Sequence, residues 1–242
     1  MKTYSGGEDT MFFWDPTFII MIPGLIMTLW AQSKVRSAFN RYSRVGAQSG
    51  ATGADVARSI LNANGLVGVG IEPVRGHLTD HYDPKSGTLR LSEGVYDSRS
   101  IAALGIAAHE AGHAVQHGTN YSALVLRTAI APAAATGSQL GIWLFMIGWI
   151  IGIFTKTQMT WMLDAGIILF TVAVLFTFIT LPVEFDASKR AILVLEKGGY
   201  LTADELPKAK EVLNAAAWTY VAAAATAVLT LVRLLILRGN RD

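Results

Sequence analysis

Residues 165–190 read AGIILFTVAVLFTFITLPVEFDASKR, and the fold turns on this stretch. Ala165–Val183 carries no charge and is long enough to cross about 30 Å of hydrocarbon, which takes roughly 17–25 helical residues. At its end, directly after Leu181-Pro182-Val183, the chain turns polar with Glu184, Asp186, Ser188, Lys189 and Arg190.

Three further uncharged stretches accompany it: Pro16–Ser33, Thr128–Thr155 and Val212–Val232. The second is longer than a crossing needs and contains Pro132. Its membrane helix is therefore expected to start near Gly137, with Tyr121–Thr136 as a separate apolar segment. Four transmembrane helices are expected at about 16–33, 137–155, 165–183 and 212–235. Trp14 and Trp30 flank the first, where amphipathic rings prefer the headgroup level. Glu8 and Asp9 precede it in place of a basic start, so it reads as a retained anchor rather than a cleaved signal.

Composition agrees with a membrane protein. Apolar residues make up 52% of the 242, charged residues only 16%, and the mean hydropathy is +0.39. The length fits one integrated unit, 1–242. A net charge of +2 gives no electrostatic case for nucleic acid. The absence of cysteine excludes disulfides, thiol nucleophiles and thiolate metal sites, so any metal must sit on His, Asp or Glu.

Basic residues set the sidedness. Lys34, Arg36, Arg41 and Arg44 follow the first span, and Lys189, Arg190, Lys197, Lys208 and Lys210 lie between the third and fourth. With four crossings both groups share a side, which the positive-inside rule makes the cytoplasm, while Lys156 falls in the short outer turn. The expected location is the cell membrane, multi-pass, with a catalytic region in 34–127 plus 184–211 on the cytoplasmic side.

Within that region Thr52 can cap a helix over Gly53–Ala63, closed by Asn64-Gly65. Val69–Val74 and Thr88–Leu91 read as short strands, with Asp83-Pro84-Lys85-Ser86-Gly87 as turn chemistry between them. Asp97-Ser98-Arg99-Ser100 offers caps for a helix beginning Ile101-Ala102-Ala103-Leu104, which carries His109-Glu110-Ala111-Gly112-His113. Residues four apart share a helical face, so both imidazoles can reach one cation at the Zn–N distance of about 2.0–2.1 Å. Glu110 flanks that face, where a carboxylate can take a proton from a water activated by zinc and deliver it to a leaving amine. This is a peptidase arrangement.

A catalytic zinc needs a third protein ligand and an open position. No histidine follows His117, and a straight helix cannot curl His117 around the same ion, so the third ligand is a carboxylate or an upstream histidine. Glu184 is the best candidate, because the third span emerges on the side that also holds His109. Asp186 either pairs with Arg190 four residues on or orients a ligand histidine. His81 and Tyr82 either hold an oxyanion or belong to a turn fixed by Asp80 and Asp83. The strand before the motif helix could present its edge to an extended peptide.

His109-Glu110-Ala111-Gly112-His113-Ala114-Val115-Gln116, Leu78-Thr79-Asp80-His81-Tyr82-Asp83-Pro84, Leu91-Ser92 and Pro182-Val183-Glu184-Phe185-Asp186-Ala187-Ser188 together resemble the bacterial YugP-type neutral zinc metallopeptidases, integral membrane proteins. The resemblance covers nearly the whole chain. More distantly the chain is similar to the HtpX and CAAX prenyl protease gluzincins, whose third ligand is a helical Glu. That group usually has an Asp four residues after the ligand Glu, whereas Ser188 stands there in this chain.

The resemblance implies a mostly α membrane protein with four transmembrane helices and a cytoplasmic zincin-like α+β catalytic region. Residues and resemblance together give the expectation of Zn2+ on His109, His113 and Glu184, with catalysis by Glu110 and His81, and a protein or peptide substrate beside the lipid bilayer. A zinc-binding membrane scaffold or a metal transporter without proteolysis is the alternative. A transporter would carry ionisable residues along its spans, and a structural zinc site has no need of Glu110.

Overall fold

The computed structural model describes residues 15–155 and 159–239. Glu8, Asp9, Trp14 and Lys156, used above for the anchor and the sidedness, lie outside them. A 3-10 turn at Pro16–Met21 leads into α1 (Ile22–Tyr42), followed by α2 (Gly53–Ala63), β1 (Gly70–Val74), β2 (His81–Asp83), β3 (Thr88–Ser92) and α3 (Glu93–Tyr96). Four helices complete the chain: α4 (Ile101–Gly118), α5 (Ser122–Thr155), α6 (Thr160–Lys197) and α7 (Leu206–Gly239). The protein is mostly helical with one small mixed sheet. Among the described residues four helices are long and apolar enough to cross a membrane: Pro16–Tyr42, Ser122–Thr155, Thr160–Lys197 and Leu206–Gly239. Exposed Leu25, Leu29, Trp143, Ile168 and Leu235 suit contact with lipid tails.

These helices depart from the sequence reading at both prolines. Helix α5 runs unbroken through Pro132 and across the Thr136–Gly137 boundary at which a separate segment is expected to end, and α6 runs through Pro182. A proline removes one backbone donor and crowds the preceding turn. Unwinding an apolar helix would leave more backbone groups without partners, so continuity wins. Glu184 consequently stands inside a helix, two residues past its proline.

Local chemistry explains the shorter elements. At α2, the Thr52 hydroxyl accepts from the Asp55 amide at 3.1 Å while the Asp55 carboxylate accepts from the Thr52 amide at 2.9 Å. Ser100 caps α4 by accepting from the Ala103 amide at 3.2 Å. In the Asp83–Gly87 turn, Asp83 accepts from the Lys85 amide and the Ser86 hydroxyl, and Gly87 takes a φ of 61° that a side chain would resist. Ser86 and Lys85 hold the Asp83 carboxyl down at about 2.

The sheet order is β1-β3-β2, with β1 parallel and β2 antiparallel to β3. Strand β3 is therefore central, and both its edges are paired. The edge expected to be open on Thr88–Ser92 is paired with β1 along its whole length and with β2 over Thr88–Arg90, and the Ser92 amide is taken by the Asp80 carboxylate. Any exposed edge belongs to β1 or β2.

The described residues pack as two compact units, each containing parts of α1, α5, α6 and α7. In the unit formed by Leu29–Ala129 and Phe178–Ala222, α4 is apolar on nearly every side and buried accordingly. Ile101, Leu104, Ala107, Ala108 and Ala111 lie in one cluster with Val56 and Ile60 of α2, Leu89 and Leu91 of β3, Leu195 of α6 and Val212 of α7. Each fully buried Leu or Ile contributes about 1.5–3 kcal/mol. In the other unit Phe145, Trp149, Leu163, Phe170 and Leu234 form the core. Asp15 pairs there with Arg233 at 2.7 Å, both buried, and Asp164 with Arg238 at 2.7 Å.

Candidate metal centre

Helix α4 presents His109 and His113 on one face, their rings 4.7 Å apart and nearly perpendicular. Opposite them α6 presents Glu184, whose Oε2 lies 3.3 Å from His109 Nε2 and 3.4 Å from His113 Nε2. The three side chains are 12%, 12% and 3% exposed, and their ligand atoms fall within 4.8 Å of one another. Gly112 makes this possible. A methyl group there would stand 3.0 Å from the Ala187 carbonyl oxygen, so the two helices meet backbone to backbone between the histidines.

Each imidazole is held at its other nitrogen. Ser188 Oγ lies 3.1 Å from His109 Nδ1, and Gln116 Oε1 lies 3.0 Å from His113 Nδ1. Gln116 is fully buried, and its amide nitrogen donates to the Val183 carbonyl at 2.9 Å and to Asp186 Oδ2 at 2.8 Å. Its donors thus engaged, Gln116 offers His113 only an acceptor. His113 Nδ1–H donates to it, and Nε2 is left facing Glu184. Arg190 donates to the same Asp186 carboxylate. Ser188, four residues past Glu184, thus supports one histidine directly, and Asp186 supports the other through Gln116.

The arrangement fits a divalent cation. Glu184 Oε2 is buried and accepts no hydrogen bond, a deficit of about 1–3 kcal/mol or more for a charged group. Its other oxygen takes Arg127 Nη1 of α5 at 3.2 Å, and Tyr220 of α7 faces the same carboxylate. Burial opposes charge on His113, yet Glu184 and Glu110 outweigh it and hold the imidazole above its ordinary pKa. The pocket favours positive charge, and two imidazoles with a carboxylate are the donor set of a zinc site that keeps an open position.

Glu110 is half-buried and lines a cavity together with His109, Asp80 and Tyr220. His81, expected to act in catalysis, is not among the residues lining it. His81 is exposed at the start of β2, with Nδ1 2.8 Å from the Thr79 carbonyl. The stretch around it is the fixed turn, with Asp80 bound to Ser92 and Asp83 to Ser86. His117 is exposed and hydrogen-bonds the Tyr82 hydroxyl at 2.8 Å, apart from the three clustered side chains. Gln116, Arg127 and Tyr220, which touch or face the clustered side chains, are not among the site residues expected from the sequence. Gln116, three residues past His113 on one helix face, and Arg127, at the head of a long apolar run, carried the available signals.

Fold and site together define a protein of long apolar helices with a two-histidine, one-glutamate candidate metal centre. The family model described as "Putative neutral zinc metallopeptidase" matches residues 17–239. The protein described as "Putative membrane protease YugP" from Bacillus subtilis (strain 168) is 47% identical over 224 residues, 92% of this chain and 97% of that relative. No solved structure matches. The chain belongs to this zinc metallopeptidase family. With its four apolar helices and a membrane relative, it is a multi-pass membrane protein.

Proposed function

We propose that the chain is a membrane-embedded zinc metalloendopeptidase of the gluzincin class, hydrolysing peptide bonds of membrane or membrane-proximal proteins. The observation that carries this reading is the unpartnered Glu184 Oε2 between two imidazole nitrogens, with Glu110 one residue from His109 on the adjoining cavity. Zinc, when bound, supplies Lewis acidity that lowers the pKa of a water toward about 7 and polarises the scissile carbonyl.

His109, His113 and Glu184 would hold the ion. Arg127 fixes Glu184 through its outer oxygen and leaves the inner one for ligation. Glu110 takes the proton of the attacking water and passes it to the leaving amine. Tyr220, rather than His81, offers its hydroxyl to the charge that develops on the carbonyl oxygen. Glu110→Gln should retain zinc and lose about 10²–10⁴-fold in turnover of casein or a membrane protein. Undiminished hydrolysis by that variant would refute the assignment.

The basic residues after the first and third spans favour a site on the cytoplasmic side of the membrane, which we take to be the plasma membrane. The chain has no cysteine, so single cysteines at Ser98 and Thr155 can be read cleanly with an impermeant thiol reagent. Thr155→Cys should label in intact cells and Ser98→Cys only after permeabilisation. The reverse pattern would invert the orientation.

A further inference from the structure

The cavity beside Glu110 has a volume of about 190 Å³. Val35 and Phe39 of α1, Leu78, Ile106 of α4, and Val212 and Ala216 of α7 supply its apolar walls. An apolar cavity of about 150 Å³ already suffices to take up benzene, so this one has room for a leucine or phenylalanine side chain. Its polar lining is confined to His109, Glu110 and Tyr220, which belong to the proposed reaction, and Asp80. Asp80 offers little to a basic ligand. Its carboxylate accepts from the Ser92 amide at 2.7 Å and from the Ser92 hydroxyl at 3.0 Å, and burial pushes its pKa up despite those bonds.

The wall at Leu78 is held in place by its neighbours. Leu78 has a φ of 57°, a left-handed conformation uncommon for a side chain of its size, and it persists only where the surroundings enforce it. On one side Asp80 is tied to Ser92, and on the other His77 packs edge-on against Phe39 at 4.9 Å. A strained leucine pinned over an apolar cavity that opens on Glu110 and His109 gives that cavity a definite shape at the reacting atoms.

We propose that this cavity receives an apolar side chain, of leucine or phenylalanine size, from the substrate residue adjoining the bond to be cut. The substrates are then polypeptides that present such a residue at the cleavage position. The inference rests on the peptidase reading and adds its selectivity. It is independent of sidedness.

The test uses the full chain in detergent, loaded with zinc, and a peptide mixture whose products are sequenced. Wild type should cut beside leucine, phenylalanine or methionine, and replacing that residue by aspartate in one peptide should lower kcat/KM by at least about tenfold, the scale on which a single misfit in an apolar pocket is felt. Ala216→Phe fills the cavity and should move the preference to alanine or serine, whereas Ile106→Ala enlarges it and should admit tryptophan. Fluorescence anisotropy with the Glu110→Gln chain reads binding alone, and the leucine peptide should bind at least about tenfold tighter than its aspartate counterpart.

Cleavage by wild type with no apolar preference, or the same preference in folded Ala216→Phe and Ile106→Ala, would overturn the cavity assignment and leave the peptidase standing. Selective binding by the Glu110→Gln chain without any cleavage by wild type would do the opposite. Should Ala216→Phe fail to fold, Ile106→Ala and the binding comparison decide.

Discussion

Helix α6 is met at backbone distance in both units, each time across a glycine, and the two meetings serve different ends. In one unit Gly141 and Gly166 face each other across α5 and α6. A methyl group on either would lie 2.8 or 2.7 Å from the other's carbonyl oxygen, and Gly137 stands equally close to Leu169. Among the described residues no group of metal-ligating side chains is assembled there, and the gain is close packing where hydrocarbon offers no hydrophobic drive. In the other unit Gly112 of α4 meets Ala187 of α6, and the same closeness brings Glu184 between His109 and His113. One device, removal of a side chain, yields adhesion in the first case and a candidate metal centre in the second. What differs is the set of side chains one turn away.

That distinction can be broken by replacing the glycines. Gly112→Leu should have the largest effect, because α6 must move off α4 and Glu184 with it. Zinc binding measured by chelator competition should be lost even where the protein remains folded. Retained affinity would mean that the helix contact does not set the ligand distance.

A smaller effect is expected one bond away from the ligands. Ser188→Ala and Gln116→Ala should each weaken zinc by about 10–100-fold, since each removes the group that orients one histidine. Asp186→Ala, acting through Gln116, should cost less than either. Affinities equal to wild type in both single variants would remove these residues from the account.

The smallest effect on zinc belongs to the packing contact. Gly141→Leu should lower thermal stability through overpacking by about 1–3 kcal/mol or more, roughly 2–4 °C per kcal/mol in a chain of this size, while the folded fraction keeps its zinc affinity. If this variant released zinc as Gly112→Leu does, the two contacts could not be treated separately.

Elements built on local chemistry were legible in the sequence. Helix α2 begins at its Thr52 cap and α4 at Ser100 as expected, and the turn at Asp83–Gly87 lies where its residues place it. Strand order was not legible, because β2 is three residues long and only its pairing with β3 reveals that β3 is central. The prolines misled because a rule about one hydrogen bond was applied where the whole surrounding segment is apolar.

For the site, the spacing of His109, Glu110 and His113 was readable as it stood, and Glu184 followed only when span topology and ligand chemistry were combined. Gln116, Arg127 and Tyr220 are ordinary residues in their own segments. Gln116 becomes relevant because α6 lies on α4, and the other two because α5 and α7 bring them to Glu184. His81 has suitable chemistry but is not among the residues lining the cavity beside Glu110.

The central claim is that one zinc ion is shared between α4 and α6, and the zinc content of the folded Glu184→Ala chain tests it most directly. Wild type, purified in detergent and dialysed against a metal-buffered solution, should hold one zinc per chain, and Glu184→Ala, with helical content unchanged by circular dichroism, should hold almost none. Full occupancy and unaltered affinity in Glu184→Ala would contradict the account, because the ion would then owe nothing to α6.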